Sequence, residues 1–180
     1  MSKLDELEII AHNLSILKRF YTDDEWKYKM DTLINKILKA KKIFVFGVGR
    51  SGYIGRCFAM RLMHLGFNSY FVGETTTSSY EKDDLLILIS GSGKTETVLT
   101  VAKRAKEINN NIVAIVCECG TIVEFAELII PLEVKKSKYL PMGTTFEETA
   151  LIFLDLVIAE VMKRLNLDEG EIIKRHCNLL

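Results

Sequence analysis

Proline occurs only twice in the 180 residues, as Pro131 and Pro141, and the chain is 48% hydrophobic. So few prolines in so apolar a chain argue against a disordered protein and point to a globular one. No apolar run approaches the roughly 20 residues of a membrane span. The opening stretch MSKLDELEII carries acids early, unlike an export signal, so a cytoplasmic location is expected. Charge of one sign is also missing, since 24 Lys and Arg balance 24 Asp and Glu. That balance excludes a global basic field for nucleic acid, and an anionic ligand must be held by local geometry. Cysteine is confined to Cys57, Cys117, Cys119 and Cys177, at spacings that suit neither a zinc site nor a CxxC redox pair. In a chain without an export signal these read as free thiols, and no metal is expected. Histidine is scarcer still, with only His12, His64 and His176.

What is present is an alternation of periods. Leu4, Leu7, Ala11, Leu14 and Leu17 recur at helical spacing over 3–20, and Thr22 with Glu25 forms a capping-box pattern for a second helix to about Ala40. Short continuous apolar runs then appear at 42–47, 69–72, 85–90, 112–117 and 128–131, the mark of strands buried on both faces. Helical stretches fall between them at 51–65, 94–109 and, briefly, near 121–126, with a long helix over 144–166 and a short one over 168–176. Strand–helix–strand repetition predicts a three-layer αβα sandwich around a five-stranded parallel sheet, with right-handed connections and two leading helices. The expected strand order is flavodoxin-like, 2-1-3-4-5. No linker or repeat divides the chain, so residues 1–180 form one expected domain, with 1–40 as leading helices and 167–180 as a tail.

Three loops carry candidate chemistry. FGVGRSG (46–52) places Gly47, Gly49 and Gly52 in a G-x-G-x-x-G pattern between a strand and a helix, so a dinucleotide fold is a rival reading. The acid that such a fold uses on the ribose has its nearest counterpart in Glu74, later than the usual spacing. Without a nucleotide, the same glycines let backbone approach a ligand, Ser51 offers a hydroxyl at a helix start, and Arg50 adds charge. SGSGKTET (90–97) resembles a P-loop but fails it, because the position of the first required glycine is Leu88, inside a strand. Ser90, Ser92 and Thr95, with Gly91 and Gly93 between them, instead surround a helix start whose free amides favour an anion. Strands 1 and 3 are neighbours at the switch point of the expected sheet, so the two loops converge, which suits a small phosphorylated ligand. YLPMGTTFEE (139–148) sets Glu147 in a helix's first turn, either as the partner of Thr144 in a capping box or as a general base.

GVGRS, SGSGKT and PMGTTFE in that order resemble the sugar isomerase (SIS) domain, which binds phosphosugars. FAMRLMHLGF, VGETTT and the terminal RHCNLL are further similar to the 6-phospho-3-hexuloisomerase family within it, and the resemblance spans essentially the whole chain. Two departures are Ser78, where many relatives have proline, and Cys177, where alanine is more usual. The resemblance implies an aldose–ketose-type isomerase of the ribulose monophosphate pathway, converting D-arabino-3-hexulose 6-phosphate to fructose 6-phosphate through a 2,3-enediol, with no cofactor. It implies Glu147 as the base, and Gly47, Gly49, Arg50, Ser51, Ser90, Gly91, Ser92 and Thr95 around the substrate. It also implies a homotetramer, in which the tail either carries His176 to a neighbouring site, as in related phosphosugar isomerases, or lies in solvent. His64 is a third candidate for proton transfer, although a histidine at a helix end is ordinarily structural or interfacial. His12 reads as structural or interfacial, and the leading helices, with Trp26 and Tyr28, as oligomer contacts. A non-catalytic phosphosugar-binding regulator and a dinucleotide-dependent oxidoreductase are the competing functions. A regulator usually carries a basic helix-turn-helix, and none precedes this domain.

Overall fold

The structure, a computed structural model, describes residues 5–179. Five strands, β1 (Ile43–Gly47), β2 (Ser69–Phe71), β3 (Leu85–Ser90), β4 (Ile112–Val116) and β5 (Leu128–Pro131), pair in parallel in the order β2-β1-β3-β4-β5. Every residue of β3 and β4 is buried, which is why these segments read as unbroken apolar runs. Successive side chains still alternate between two cores. Ile43, Val45, Ile87, Ile89, Val113 and Ile115 face one layer, whereas Phe44, Leu86, Leu88, Ile112, Ala114 and Val116 face the other.

Helices α3 (Asp24–Lys39), α4 (Arg50–His64) and α6 (Thr144–Leu165) close the first core, with Phe20 and Phe153 in ring contact at 4.5 Å within it. Helix α5 (Glu96–Lys106) and a 3-10 turn at Thr121–Glu124 close the second. The chain leaves β1 through α4 toward β2 and leaves β3 through α5 toward β4, so it departs in opposite directions from adjacent strands. Gly47 is level with Ile89, and Ser90 with Val116, so the loops after β1, β3 and β4 emerge along one edge of the sheet. That edge is the switch point at which open α/β sheets bind ligands.

The leading helices differ in detail from the sequence expectation. The helix expected over 3–20 is broken, as α1 (Asp5–Ile16) followed by a four-residue α2 (Arg19–Thr22). Leu7 and Ala11 are exposed, while Asn13 and Leu17 are buried, and Leu4 lies outside the described residues. The apolar count skips Asn13, a polar residue on the inner side whose amide oxygen and nitrogen both bond the Lys135 backbone. Asp23 rather than Thr22 caps α3, accepting from the amides of Glu25 and Trp26 at 3.1 and 3.2 Å. The Thr22 hydroxyl donates back to the Lys18 carbonyl instead. Trp26 is buried edge-on against Phe20, so of the two aromatics only Tyr28 is at the surface. Among the described residues, no helix is long and apolar enough to cross a membrane.

Candidate active site

The site begins where β1 gives way to α4. A Cβ on Gly52 would sit 2.7 Å from the carbonyl oxygen of Gly47, so this glycine pair lets the helix start against the strand end. Two glycines of the dinucleotide-like pattern are thereby accounted for by packing. Glu74, the nearest acid for that rival reading, is held by Arg56 at 2.8 Å. Ser51, in the first turn of α4, is buried and faces a cleft.

The second wall comes from the turn after β3. Ser90 is buried at the strand end with its hydroxyl 3.3 Å from that of Thr95, the N-cap residue of α5. Within the turn, the Gly93 amide donates to the Ser90 carbonyl and the Lys94 amide to the Ser92 hydroxyl, both at 3.2 Å. The Cys117 and Glu118 amides donate to the Gly91 carbonyl at 3.0 and 2.9 Å, which ties the end of β4 to the same turn. The first four amides of α5 have no acceptor inside the helix, and the helix dipole adds partial positive charge there. Hydroxyls and amides at this turn form a cradle of donors whose chemistry suits an anion.

The third wall is the start of α6. No Thr144–Glu147 capping box forms, because Gly143 is the N-cap residue and the Thr144 hydroxyl donates to the Pro141 carbonyl at 2.7 Å. The Glu147 side chain, only 9% exposed as a residue, turns into the cleft instead. Its Oε2 lies 2.5 Å from Nε of Arg50, but this buried oxygen accepts no aligned hydrogen bond. The charges touch while the acceptor site stays open to a donor or a proton.

These walls enclose about 440 Å³, within the range of small-molecule sites. Of the residues expected from sequence, Ser51, Gly91, Ser92, Thr95 and Glu147 line the cleft together. Gly47 and Gly49 shape the turn beneath it, and Arg50 lines an adjoining groove beside Glu147 and Glu148. Residues not anticipated are Cys117 and Glu118 after β4, Val134 and Lys136 after β5, and Met142, Gly143, Thr145 and Phe146 around the start of α6. The run VKKSK (134–138) directly after the last strand is the signal that could have found Lys136. Burial is the main cause that pushes the Cys117 thiol up, which favours the protonated thiol over the thiolate.

His64 and His176 come together, but elsewhere. His64 ends α4, about 20 Å beyond Ser51 at 1.5 Å per residue. There its ring stacks on that of His176 with centroids 5.5 Å apart, and Arg175 reaches its carbonyl at 3.4 Å. Within one chain, neither imidazole reaches the cleft of Glu147. His64 is buried with Nδ1 unpartnered, and its pKa is lowered from 6.5 by burial first, then by Arg61 and His176. A histidine that resists protonation in the folded state loses stability as pH falls. Melting temperature is therefore expected to drop from about pH 6.5 downward, and His64→Asn should flatten that part of the profile.

The profile of the SIS domain matches residues 36–158. A 3-hexulose-6-phosphate isomerase from Methanocaldococcus jannaschii is 84% identical over 180 residues, spanning 100% of both chains. One from Bacillus subtilis is 39% identical over 158 residues, covering 83% of this chain and 85% of that one. The crystal structure of a Methanococcus jannaschii protein, whose inferred molecular function is 3-hexulose-6-phosphate isomerase, superposes with a TM-score of 0.97 at 84% identity, covering 98% of this chain and 99% of that one. The chain belongs to the SIS domain family, among its 3-hexulose-6-phosphate isomerases.

Proposed function

We propose that the protein interconverts D-arabino-3-hexulose 6-phosphate and fructose 6-phosphate in the cleft between β1, β3 and α6. The observation that carries this reading is the buried Glu147 carboxylate, charge-paired with Arg50, across a cleft from the hydroxyl-lined start of α5. A phosphate seated on Ser92, Thr95 and the α5 amides would fix one end of the sugar. Binding energy from that remote group orients C2 and C3 against the base.

Glu147 takes the proton from C2, and the electrons move into a C2–C3 double bond as the C3 carbonyl becomes an enediolate oxygen. The proton on O2 passes to O3, C3 is protonated by the carboxylic acid that Glu147 has become, and the carbonyl re-forms at C2. Arg50 stands beside the carboxylate, where its guanidinium can donate to the enediolate as negative charge develops. Ser51 supplies a further hydroxyl on the same wall. A sensor would need the phosphate cradle but not a buried carboxylate with an open acceptor, which favours the enzyme over the regulator.

A cytoplasmic homotetramer is the assembly proposed, with exposed Leu7, Tyr21 and Tyr28 on the leading helices as contact residues. His64 and His176 would act in catalysis only across such a contact. The function is tested by supplying ribulose 5-phosphate, formaldehyde and a hexulose-phosphate synthase and assaying fructose 6-phosphate. Product is expected with the folded protein present. Its absence would overturn the isomerase reading in favour of the regulator.

A further inference from the structure

The segment that follows β5 has no regular secondary structure, and its residues face two ways. On one side, Glu133 is paired with Arg19 of α2 at 2.8 Å, and the Ser137 hydroxyl reaches Glu6 of α1 at 3.4 Å. Between them, the Asn13 amide clamps the backbone of Lys135 twice. Its Oδ1 accepts from the Lys135 N–H at 2.7 Å and its Nδ2 donates to the Lys135 carbonyl at 2.9 Å. Asn13 is 1% exposed, so this clamp is shielded from water. The leading helices thus hold residues 133, 135 and 137, and the intervening Val134 and Lys136 turn the other way and line the cleft.

Lys136 meets Glu118 there, Nζ to Oε1 at 2.5 Å. The pairing raises the lysine's pKa and lowers the acid's, so both are charged at neutral pH. Glu118 is tied by its amide to Gly91, and the charge of Lys94 acts on its carboxylate, which places the pair on the cradle side of the cleft. The cradle's lining donors are neutral, Lys94 of the same turn is not among the residues that line the cleft, and Arg50 is engaged with Glu147. A phosphate dianion therefore lacks a full positive charge unless one comes from this side. We propose that Lys136 is a ligand of the substrate phosphate, occupied by Glu118 until substrate arrives, and that Asn13 is the residue that positions it. This gives the leading helices a part in substrate binding, and it rests on the reading of the cleft as a phosphosugar site.

Calorimetry with inorganic phosphate and kinetics with fructose 6-phosphate test it together. Lys136→Gln is expected to weaken phosphate binding and raise KM roughly 10- to 100-fold, the worth of one charge-assisted contact, with kcat changed less than about threefold. Glu118→Gln removes the competing carboxylate and should bind phosphate at least as tightly as wild type. Asn13→Ala should raise KM in the same direction, yet add little in a Lys136→Gln background, because both act through one contact. Unchanged phosphate affinity in Lys136→Gln, or a fully additive double variant, would overturn the assignment. A wild type that binds phosphate through Lys136 but leaves fructose 6-phosphate unchanged would sink the isomerase reading while sustaining this one.

Discussion

Glu147→Gln is expected to lower kcat at least a hundredfold while KM for fructose 6-phosphate stays within about threefold, the range of a lost general base. The amide keeps the shape of the carboxylate beside Arg50, but it cannot hold the C2 proton. The fold should persist. Arg50 has a side chain 62% exposed, so it can rehydrate when its partner loses charge, and the pair's contribution to stability is correspondingly small. Steady-state kinetics beside a melting curve make the test. A stable variant that retains more than a tenth of wild-type kcat would move the base to another residue, with a histidine brought from a neighbouring subunit as the next candidate.

Gly93→Ala should do comparable damage through geometry alone. Gly93 has φ of +61°, and a Cβ there would lie 2.7 Å from the amide nitrogen of Gly120 and 2.8 Å from the carbonyl oxygen of Glu118. The left-handed backbone costs about 1 kcal/mol for an L-residue. The backbone overlap cannot be relieved by a rotamer change, so the turn itself must move, for a total near 2–4 kcal/mol. Because that turn carries Ser92 and Thr95, kcat/KM should fall with stability, by about a hundredfold or more if the cradle shifts by an ångström. Gly49→Ala is the control. It has the same φ of +61°, with ψ of −134° in a region nearly confined to glycine, but no atom lies within 4 Å of an added Cβ, so it carries backbone strain without collision. Denaturant unfolding of the two variants separates strain from collision. Equal losses would mean that the Gly93 turn is not constrained by its neighbours.

The sheet was legible in the sequence because parallel strands buried on both faces write themselves as continuous apolar runs. β3 and β5 have the expected bounds, and the others differ by a residue at an end. Helix starts were less legible. A capping-box pattern fits many Thr-x-x-Glu stretches, but Asp23 competes with Thr22 for one helix start, and at the other the Glu147 carboxylate is drawn to Arg50. Ser51, Ser92 and Thr95 could be placed together because strand order fixes which loops are adjacent. Lys136 could not, because its direction is set by an irregular segment clamped from α1, more than a hundred residues away in sequence. The same limit applied to Asn13, whose value lies in a backbone it meets only after folding.

The central claim is that this cleft makes a 2,3-enediol. Proton NMR of fructose 6-phosphate incubated with the protein in D₂O tests it most directly. Loss of the C3 proton signal through exchange, slowed at least a hundredfold in Glu147→Gln, is the predicted result. Exchange at C1 instead, or no exchange by the folded wild-type protein, would contradict it.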